Sequence, residues 1–367
     1  MATRLVDQAG RAVISEASRL VDQGKAETAR LVDEAASGDL AQGGFTNWRR
    51  RLQVVIAIAL LVLVGVLKTQ LTAFLFHVGH QPPTAYSLYS CAVTCAMLAP
   101  VFIVRPQYWA VPKREMALNL SLIVVFTACD LGFTNIALSQ LSTALQQCIA
   151  STNPFWTILI ESVLHRKWQH VLIYCSVCGL VIGAIMASIG SVARLSIFGL
   201  CSAVVAVLCS SSKYVFCHKA FRDFKGELGA LALLFWVDLL MIPVYVLWTA
   251  LNGSLFTFFS PQNLNALTIV PLTGTAALGG VRALTQYLVL LVVSATSMST
   301  ANIFTQILNI VLSIPLQGTP ITPFLGSGIG LVCTFSVLYT FFKSSTTALP
   351  WIDERLPFLR RPRSPIS

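Results

Sequence analysis

The sequence predicts an all-α membrane protein with ten transmembrane helices and both termini in the cytosol. Ten hydrophobic segments of about 20 residues each match the ~30 Å hydrocarbon core that a helix must cross. Hydrophobic residues make up 55% of the 367 positions and charged residues 11%, whereas soluble domains carry roughly 25% charged residues. Basic residues also fall on every second connection, with sixteen Lys and Arg on one side and one on the other.

The segments and the charges between them set the predicted topology. The ten predicted helices cover residues 53–76, 84–104, 115–137, 141–164, 168–190, 195–217, 229–250, 270–294, 298–316 and 323–343. The basic residues on the predicted cytosolic side are Arg49, Arg50, Arg51, Arg105, Lys113, Arg114, Arg166, Lys167, Lys219, Arg222, Lys225, Lys343, Arg355, Arg360, Arg361 and Arg363. Arg194 stands alone on the opposite side, so the positive-inside rule places both termini in the cytosol.

Residues 1–47 form a polar extension before the helical domain at 48–345, and residues 346–367 form a basic cytosolic tail. The phrase Arg-Leu-Val-Asp recurs at Arg4, Arg19 and Arg30, intervals that return it to nearly the same helix face. The extension is therefore either an amphipathic helix for a membrane surface or a partner, or a poorly ordered segment. Seven of the fifteen acidic residues lie in it, which argues against a plastid or mitochondrial transit peptide.

Two halves, residues 48–192 and 193–345, share short motifs at matching places. Ser-Thr-Ala opens the fourth helix at 142–144 and the ninth at 299–301. A GxxxG pair follows in the next helix of each half, formed by Gly179 and Gly183 and by Gly326 and Gly330. Five helices per half make the second repeat inverted relative to the first, as in many transporters. The GxxxG faces fit either a homodimer or packing within one chain.

No pattern for catalysis, a cofactor or a metal stands out. All ten cysteines lie in predicted helices, in apolar surroundings that suit packing rather than metal or redox chemistry. There is no Gly-rich phosphate loop and no nucleophile spaced to meet a base. We therefore expect neither an enzyme nor a cofactor. The net charge of +10 sits at membrane edges, which argues against nucleic-acid binding.

Six ionisable residues fall inside predicted helices: Lys68, Asp130, Glu161, Lys213, Asp238 and Arg282. Each would cost about 2.5–3.5 kcal/mol at a lipid-exposed helix centre, so each should face a cavity or a partner. Glu161 lies near the basic 165–167 connection and suits an interfacial ion pair. Lys213 either snorkels to the cytosolic edge or lines a site, and Asp238 either lines a site or pairs with a cation. Lys68, Asp130 and Arg282 lie deeper and predict a pocket for a polar anionic or zwitterionic small molecule.

Four stretches carry a resemblance to a known family. They are Phe133-Thr134-Asn135, Asn153-Pro154-Phe155, Ser212-Lys213-Tyr214 with Lys219-Ala220-Phe221, and the segment from Asn302 to Pro320 that ends in Thr-Pro. Together they resemble the triose-phosphate translocator and nucleotide-sugar transporter branch of the drug/metabolite transporter superfamily, over residues 50–345. The resemblance implies a ten-helix inverted-repeat fold, alternating access and exchange across an organelle membrane.

The resemblance also indicates a changed site. Where plastid members hold phosphate with a Lys-Arg pair in the ninth helix, this chain has Thr305 and Gln306, and a fourth-helix Lys is replaced by Ala150. Thr134 is kept, Lys213 stands for an Arg, and Lys68 falls about where the family has a first-helix Lys. The full phosphate clamp is therefore missing, which argues against triose-phosphate exchange.

We expect a secondary antiporter that moves a nucleotide sugar, a sugar phosphate or a related polar anion across an endomembrane. The Golgi or ER is the preferred location, and a plastid or vacuole is the alternative. The candidate substrate-binding residues are Lys68, Asp130, Thr134, Lys213, Arg282, Asn302, Thr305 and Gln306. Two alternatives stay open. One is a carrier of amines or other metabolites coupled to protons through Asp130. The other is a non-transporting scaffold that binds a partner through its N-terminal helix.

Overall fold

Helices account for all regular structure in the part of the chain that the computed structural model describes, which is residues 48–165, 170–190, 196–223, 229–258, 266–292, 295–317 and 322–344. The helix predicted from the Arg-Leu-Val-Asp phrases and the basic tail lie outside these ranges. The helices are α1 (Trp48–His77), α2 (Pro83–Val104), α3 (Ala117–Gln140), α4 (Thr143–Ala150), α5 (Asn153–His165), α6 (Val171–Gly190), α7 (Ile197–Asp223), α8 (Ala230–Leu251), α9 (Ser254–Phe258), α10 (Ala266–Val292), α11 (Ala295–Gln317) and α12 (Pro323–Ser344).

Seven of these helices are long and apolar enough to cross a membrane: α1, α2, α3, α6, α7, α8 and α12. This confirms an α-helical membrane protein. Within α11, a shorter apolar stretch of Ala301–Leu316 stands out. Polar residues such as Asn302, Gln306 and Asn309 lower the hydropathy of this helix, and all three are buried.

The prediction of one continuous helix at 141–164 is wrong, because the chain breaks between α4 and α5 at Ser151 and Thr152. Pro154 explains the break: it lacks an N–H, and its ring disfavours a helical carbonyl four residues earlier. The two residues at the break turn their hydroxyls back on the end of α4. Ser151 Oγ donates to the Gln147 carbonyl at 2.9 Å, and Thr152 Oγ1 donates to the Ile149 carbonyl at 2.8 Å.

The most extensive helix pairs join the first half of the chain to the second. They include α1 with α10, α2 with α8, α2 with α10, α3 with α7, α4 with α11, α5 with α7, and α6 with α12. The α3–α7 pair, with α2, α8 and α10, encloses the largest apolar cluster, which includes Ile123, Leu234, Met241 and Tyr287. The middle of the molecule is therefore built from both halves.

Glycines bring α6 and α12 together within one chain. A Cβ at Gly183 would stand 2.9 Å from the Val332 nitrogen and 3.1 Å from the Gly328 carbonyl oxygen. Gly330, the second glycine of the GxxxG pair in α12, is exposed, and a Cβ there would meet nothing within 4 Å. Gly328, which lies between the two glycines of that pair, is the one that faces α6. Close backbone approach of this kind is how small residues stabilise helix pairs in lipid.

Replacing Gly183 with Leu is expected to separate α6 from α12 and to destabilise the protein, because overpacking a tight contact costs about 1–3 kcal/mol. Gly330→Leu is the matched control on the facing helix, and it should leave stability unchanged. Thermal unfolding of both variants in detergent, followed by size-exclusion fluorescence, measures the difference. Equal melting temperatures for the two variants would contradict this packing.

Candidate functional site

A central cavity of about 170 Å³ lies between the two halves of the chain. Its walls come from α1, α2, α3, α4, α5, α7, α8, α10 and α11. All eight candidate site residues line this one cavity: Lys68, Asp130, Thr134, Lys213, Arg282, Asn302, Thr305 and Gln306. The structure therefore brings together side chains that are up to 238 positions apart in the sequence.

Asp130 on α3 and Lys213 on α7 form a buried ion pair. The Lys213 Nζ lies 2.5 Å from Asp130 Oδ2, and the two side chains are 8% and 17% exposed. Thr134, one turn further along α3, donates its hydroxyl to Asp130 Oδ1 at 3.4 Å. Lys213 thus lies inside the cavity rather than at the cytosolic edge, and the acid proposed for proton coupling is engaged by a cation.

Lys68 on α1 and Arg282 on α10 present their charges to the cavity in a different way. Among the described residues, neither cation has a carboxylate oxygen within 4 Å of its side-chain nitrogen atoms. A glycine lies against each of these side chains. A Cβ at Gly65 would stand 3.5 Å from Arg282 Nε, and a Cβ at Gly279 would stand 3.9 Å from Lys68 Cε. Lys68 is buried and Arg282 is half-buried, and cations withdrawn from bulk water in this way need an anion or water to offset their desolvation.

One face of α11 supplies amide and hydroxyl groups. Asn302 Nδ2 donates to the Tyr214 hydroxyl at 2.9 Å, and Gln286 Nε2 on α10 donates to the same oxygen at 2.7 Å. Tyr214 follows Lys213 on α7, so this network connects three cavity-lining helices. Each of the three residues is buried, so these hydrogen bonds hold the two amides in the cavity wall.

The break between α4 and α5 is connected to α11 by Gln306. Pro154 has no N–H to offer the carbonyl of Ala150, which would otherwise remain without its helical partner. Gln306 Nε2 donates to that carbonyl at 3.0 Å. Asn153, the first residue of α5, accepts hydrogen bonds through its Oδ1 from Ser211 of α7 at 3.1 Å and from Ser299 of α11 at 3.4 Å. The broken helix of one half is thus held by side chains of the other.

Several cavity residues were not predicted from the sequence. They are Gln146, Gln147, Asn153, Tyr214 and Gln286. Gln286 lies one turn after Arg282 on the same helix face, a spacing that would have found it. Asp238, which the sequence left undecided, lines the cavity and has no cation within 4 Å among the described residues. Glu161 is not among the cavity-lining residues.

Comparisons with known proteins agree with this architecture. A family model described as the Triose-phosphate Transporter family matches residues 56–340. A curated relative, phosphoenolpyruvate/phosphate translocator 2 of the chloroplast of Arabidopsis thaliana, is 23% identical over 253 residues, which are 65% of this chain and 62% of that protein. A solved crystal structure superimposes with a TM-score of 0.55 at 13% identity, covering 79% of this chain and 97% of the other.

Proposed function

The chain belongs to the Triose-phosphate Transporter family and is a membrane transporter rather than an enzyme; from this premise we propose that it is a secondary antiporter. Its cargo is a phosphorylated metabolite or related polar anion, a sugar phosphate or a nucleotide sugar, which it exchanges by alternating access. The Arabidopsis relative is named for a phosphorylated acid and phosphate, which supports a phosphorylated cargo. The match spans less than two thirds of that relative.

The observation that carries the proposal is the pair of cations that line the cavity without a carboxylate within 4 Å among the described residues, the buried Lys68 and the half-buried Arg282. Holding two such charges away from bulk water carries a desolvation cost that an anion bound between them would offset. Guanidinium recognises phosphate through two parallel N–H bonds, and lysine adds a point charge. A phosphoryl group fits this arrangement better than an amine would.

The helix pairing supports an inverted repeat over the halves 48–192 and 193–345. We take α4 and α5 as one broken membrane span, so that α1, α2, α3, α4–α5 and α6 correspond to α7, α8, α10, α11 and α12. Exchanging the halves then converts the α1–α10 pair into α7–α3 and leaves α2–α8, α4–α11 and α6–α12 unchanged. A site between such repeats, lined by a broken helix, is typical of alternating-access transporters. On this count ten spans cross the membrane.

The location that we propose is an endomembrane, the Golgi or ER. Support comes from Thr305 and Gln306, which stand where the resemblance places the Lys-Arg pair of plastid members. The curated relative is itself chloroplastic, so a plastid envelope is the competing location. Fluorescent tagging at the C-terminus, with markers for both compartments, distinguishes the two: plastid fluorescence would overturn the endomembrane assignment.

Counterflow in proteoliposomes tests the proposed function. Purified protein is reconstituted in vesicles preloaded with sugar phosphates, nucleotide sugars and nucleoside monophosphates, and each labelled compound is then offered outside. We expect trans-stimulated uptake of one phosphorylated class, at least about tenfold above protein-free vesicles, because an exchanger returns loaded faster than empty. Uptake of amines that follows an imposed proton gradient, with no phosphate exchange, would contradict the proposal.

A further inference from the structure

We propose that the α11 face of the cavity is a subsite for hydrogen-bond donors on the cargo, formed by three acceptor oxygens: Asn302 Oδ1, Thr305 Oγ1 and Gln306 Oε1. This inference rests on the proposed function and adds to it the chemistry of the cargo's uncharged part. The cargo is then a phosphate ester whose body carries hydroxyl or N–H groups beside the anion. A phosphorylated acid without such donors fits the cavity poorly.

The first evidence for this subsite is the unpaired hydroxyl of Thr305. The residue is 2% exposed, and its hydroxyl has no hydrogen-bond partner among the described residues. Many buried threonines in this protein donate to a carbonyl three or four residues earlier, as do Thr69, Thr94, Thr152, Thr157, Thr249, Thr275 and Thr285. Thr305 makes no such bond to its own helix, and it lines the cavity. Its hydroxyl is therefore an unpaired polar group in the cavity wall.

Asn302 and Gln306, two amides that line the cavity from α11, also support the subsite. A carbonyl can only accept, so the Gln306 nitrogen must face Ala150 and its Oε1 must face elsewhere. That oxygen is buried and has no partner among the described residues, and the same holds for Asn302 Oδ1, whose nitrogen donates to Tyr214. Leaving a buried acceptor unpaired costs about 1–3 kcal/mol. Three such oxygens on one helix face therefore need donors from a ligand or from water that the ligand replaces.

The acceptor oxygens lie beside the proposed anion site rather than apart from it. A Cβ built on Gly65 would stand 3.6 Å from Thr305 Oγ1 and 3.5 Å from Arg282 Nε. The hydroxyl and the guanidinium therefore flank one glycine of α1. A ligand whose phosphoryl group contacts Arg282 brings the neighbouring carbon atoms, with their hydroxyls, next to Thr305.

The cavity volume favours a compact cargo. About 170 Å³ is below the ~300 Å³ at which pockets for drug-sized ligands begin. A phosphorylated sugar or polyol suits this volume, whereas a nucleotide sugar requires the helices to move apart. Among the phosphorylated classes proposed above, the structure therefore favours the small hydroxylated phosphate esters.

Glycerol 3-phosphate and n-propyl phosphate form a matched pair of probes, because they share the phosphate and the carbon chain and differ only in two hydroxyls. We expect the full-length protein in proteoliposomes to exchange glycerol 3-phosphate at least about fivefold better, in the range of one or two hydrogen bonds. Thr305→Val, which replaces the hydroxyl with a methyl of nearly equal size, should reduce this preference, measured as the ratio of the two exchange rates in the same preparation. Thr305→Ser should retain the preference.

The results separate the two proposals. Equal exchange of both probes by the native protein, or an undiminished preference in Thr305→Val, would overturn the donor subsite and leave the transporter proposal intact. No exchange of either probe, of inorganic phosphate or of any other phosphorylated compound would overturn both. Size-exclusion profiles of each variant show whether it is folded. If Thr305→Val does not fold, the probe preference of the native protein and of Thr305→Ser still decides the matter.

Discussion

Arg282→Ala is expected to lower exchange by about 10- to 100-fold while the protein stays folded and reaches its membrane. The guanidinium lines the cavity, and among the described residues it has no carboxylate within 4 Å; we therefore propose that it holds an anion rather than completing a structural pair. Losing a hydrogen bond to a charged group costs about 1.5–3 kcal/mol, which corresponds to this range. Initial rates of counterflow, normalised to reconstituted protein, measure the effect.

Two controls accompany this variant. Arg282→Lys keeps the charge without the planar fork, so it should retain part of the activity. Arg105→Ala removes an exposed guanidinium just after α2, and it should leave exchange unchanged. Normal exchange by Arg282→Ala, with native folding, would exclude Arg282 from the anion site.

The second large effect is on stability and concerns Asp130 and Lys213. Removing one member of a buried ion pair strands the other charge and costs about 3–5 kcal/mol, whereas removing both costs much less. Lys213→Met alone and Asp130→Asn alone should therefore both lower the melting temperature in detergent. The double variant should recover most of the loss, because neither charge is then left buried without its partner. Additive losses in the double variant would show that the two residues do not interact in solution.

The fold was predictable from the sequence wherever length and hydropathy decide it. The segments at 53–76 and 229–250 correspond closely to α1 and α8, because a helix in lipid must be apolar for about 20 residues and must end at polar connections. The cavity residues Lys68 and Arg282 were also predictable. A charge in the middle of an apolar segment has to face a cavity or a partner.

Other features depend on contacts between distant segments and were not predictable. The break at Ser151 and Thr152 lies within residues 141–164, and the Ala150 carbonyl that Pro154 leaves without a helical donor is bonded by Gln306, a residue 152 positions after Pro154. The GxxxG spacing identified a face of small residues on α12, but it did not show which glycine contacts α6. Gly328 and Gly330 are two residues apart, so they lie about 200° apart around α12. Likewise, nothing in the sequence selects Asp130 over Asp238 as the partner of Lys213.

A structure of the protein with a bound exchangeable phosphate ester is the most direct test of the anion site. We expect a phosphoryl group in contact with Lys68 Nζ and the Arg282 guanidinium, with the Asp130–Lys213 pair intact and a ligand hydroxyl on Thr305. A phosphoryl group bound outside this cavity, or held by Lys213 after separation from Asp130, would contradict the proposed site.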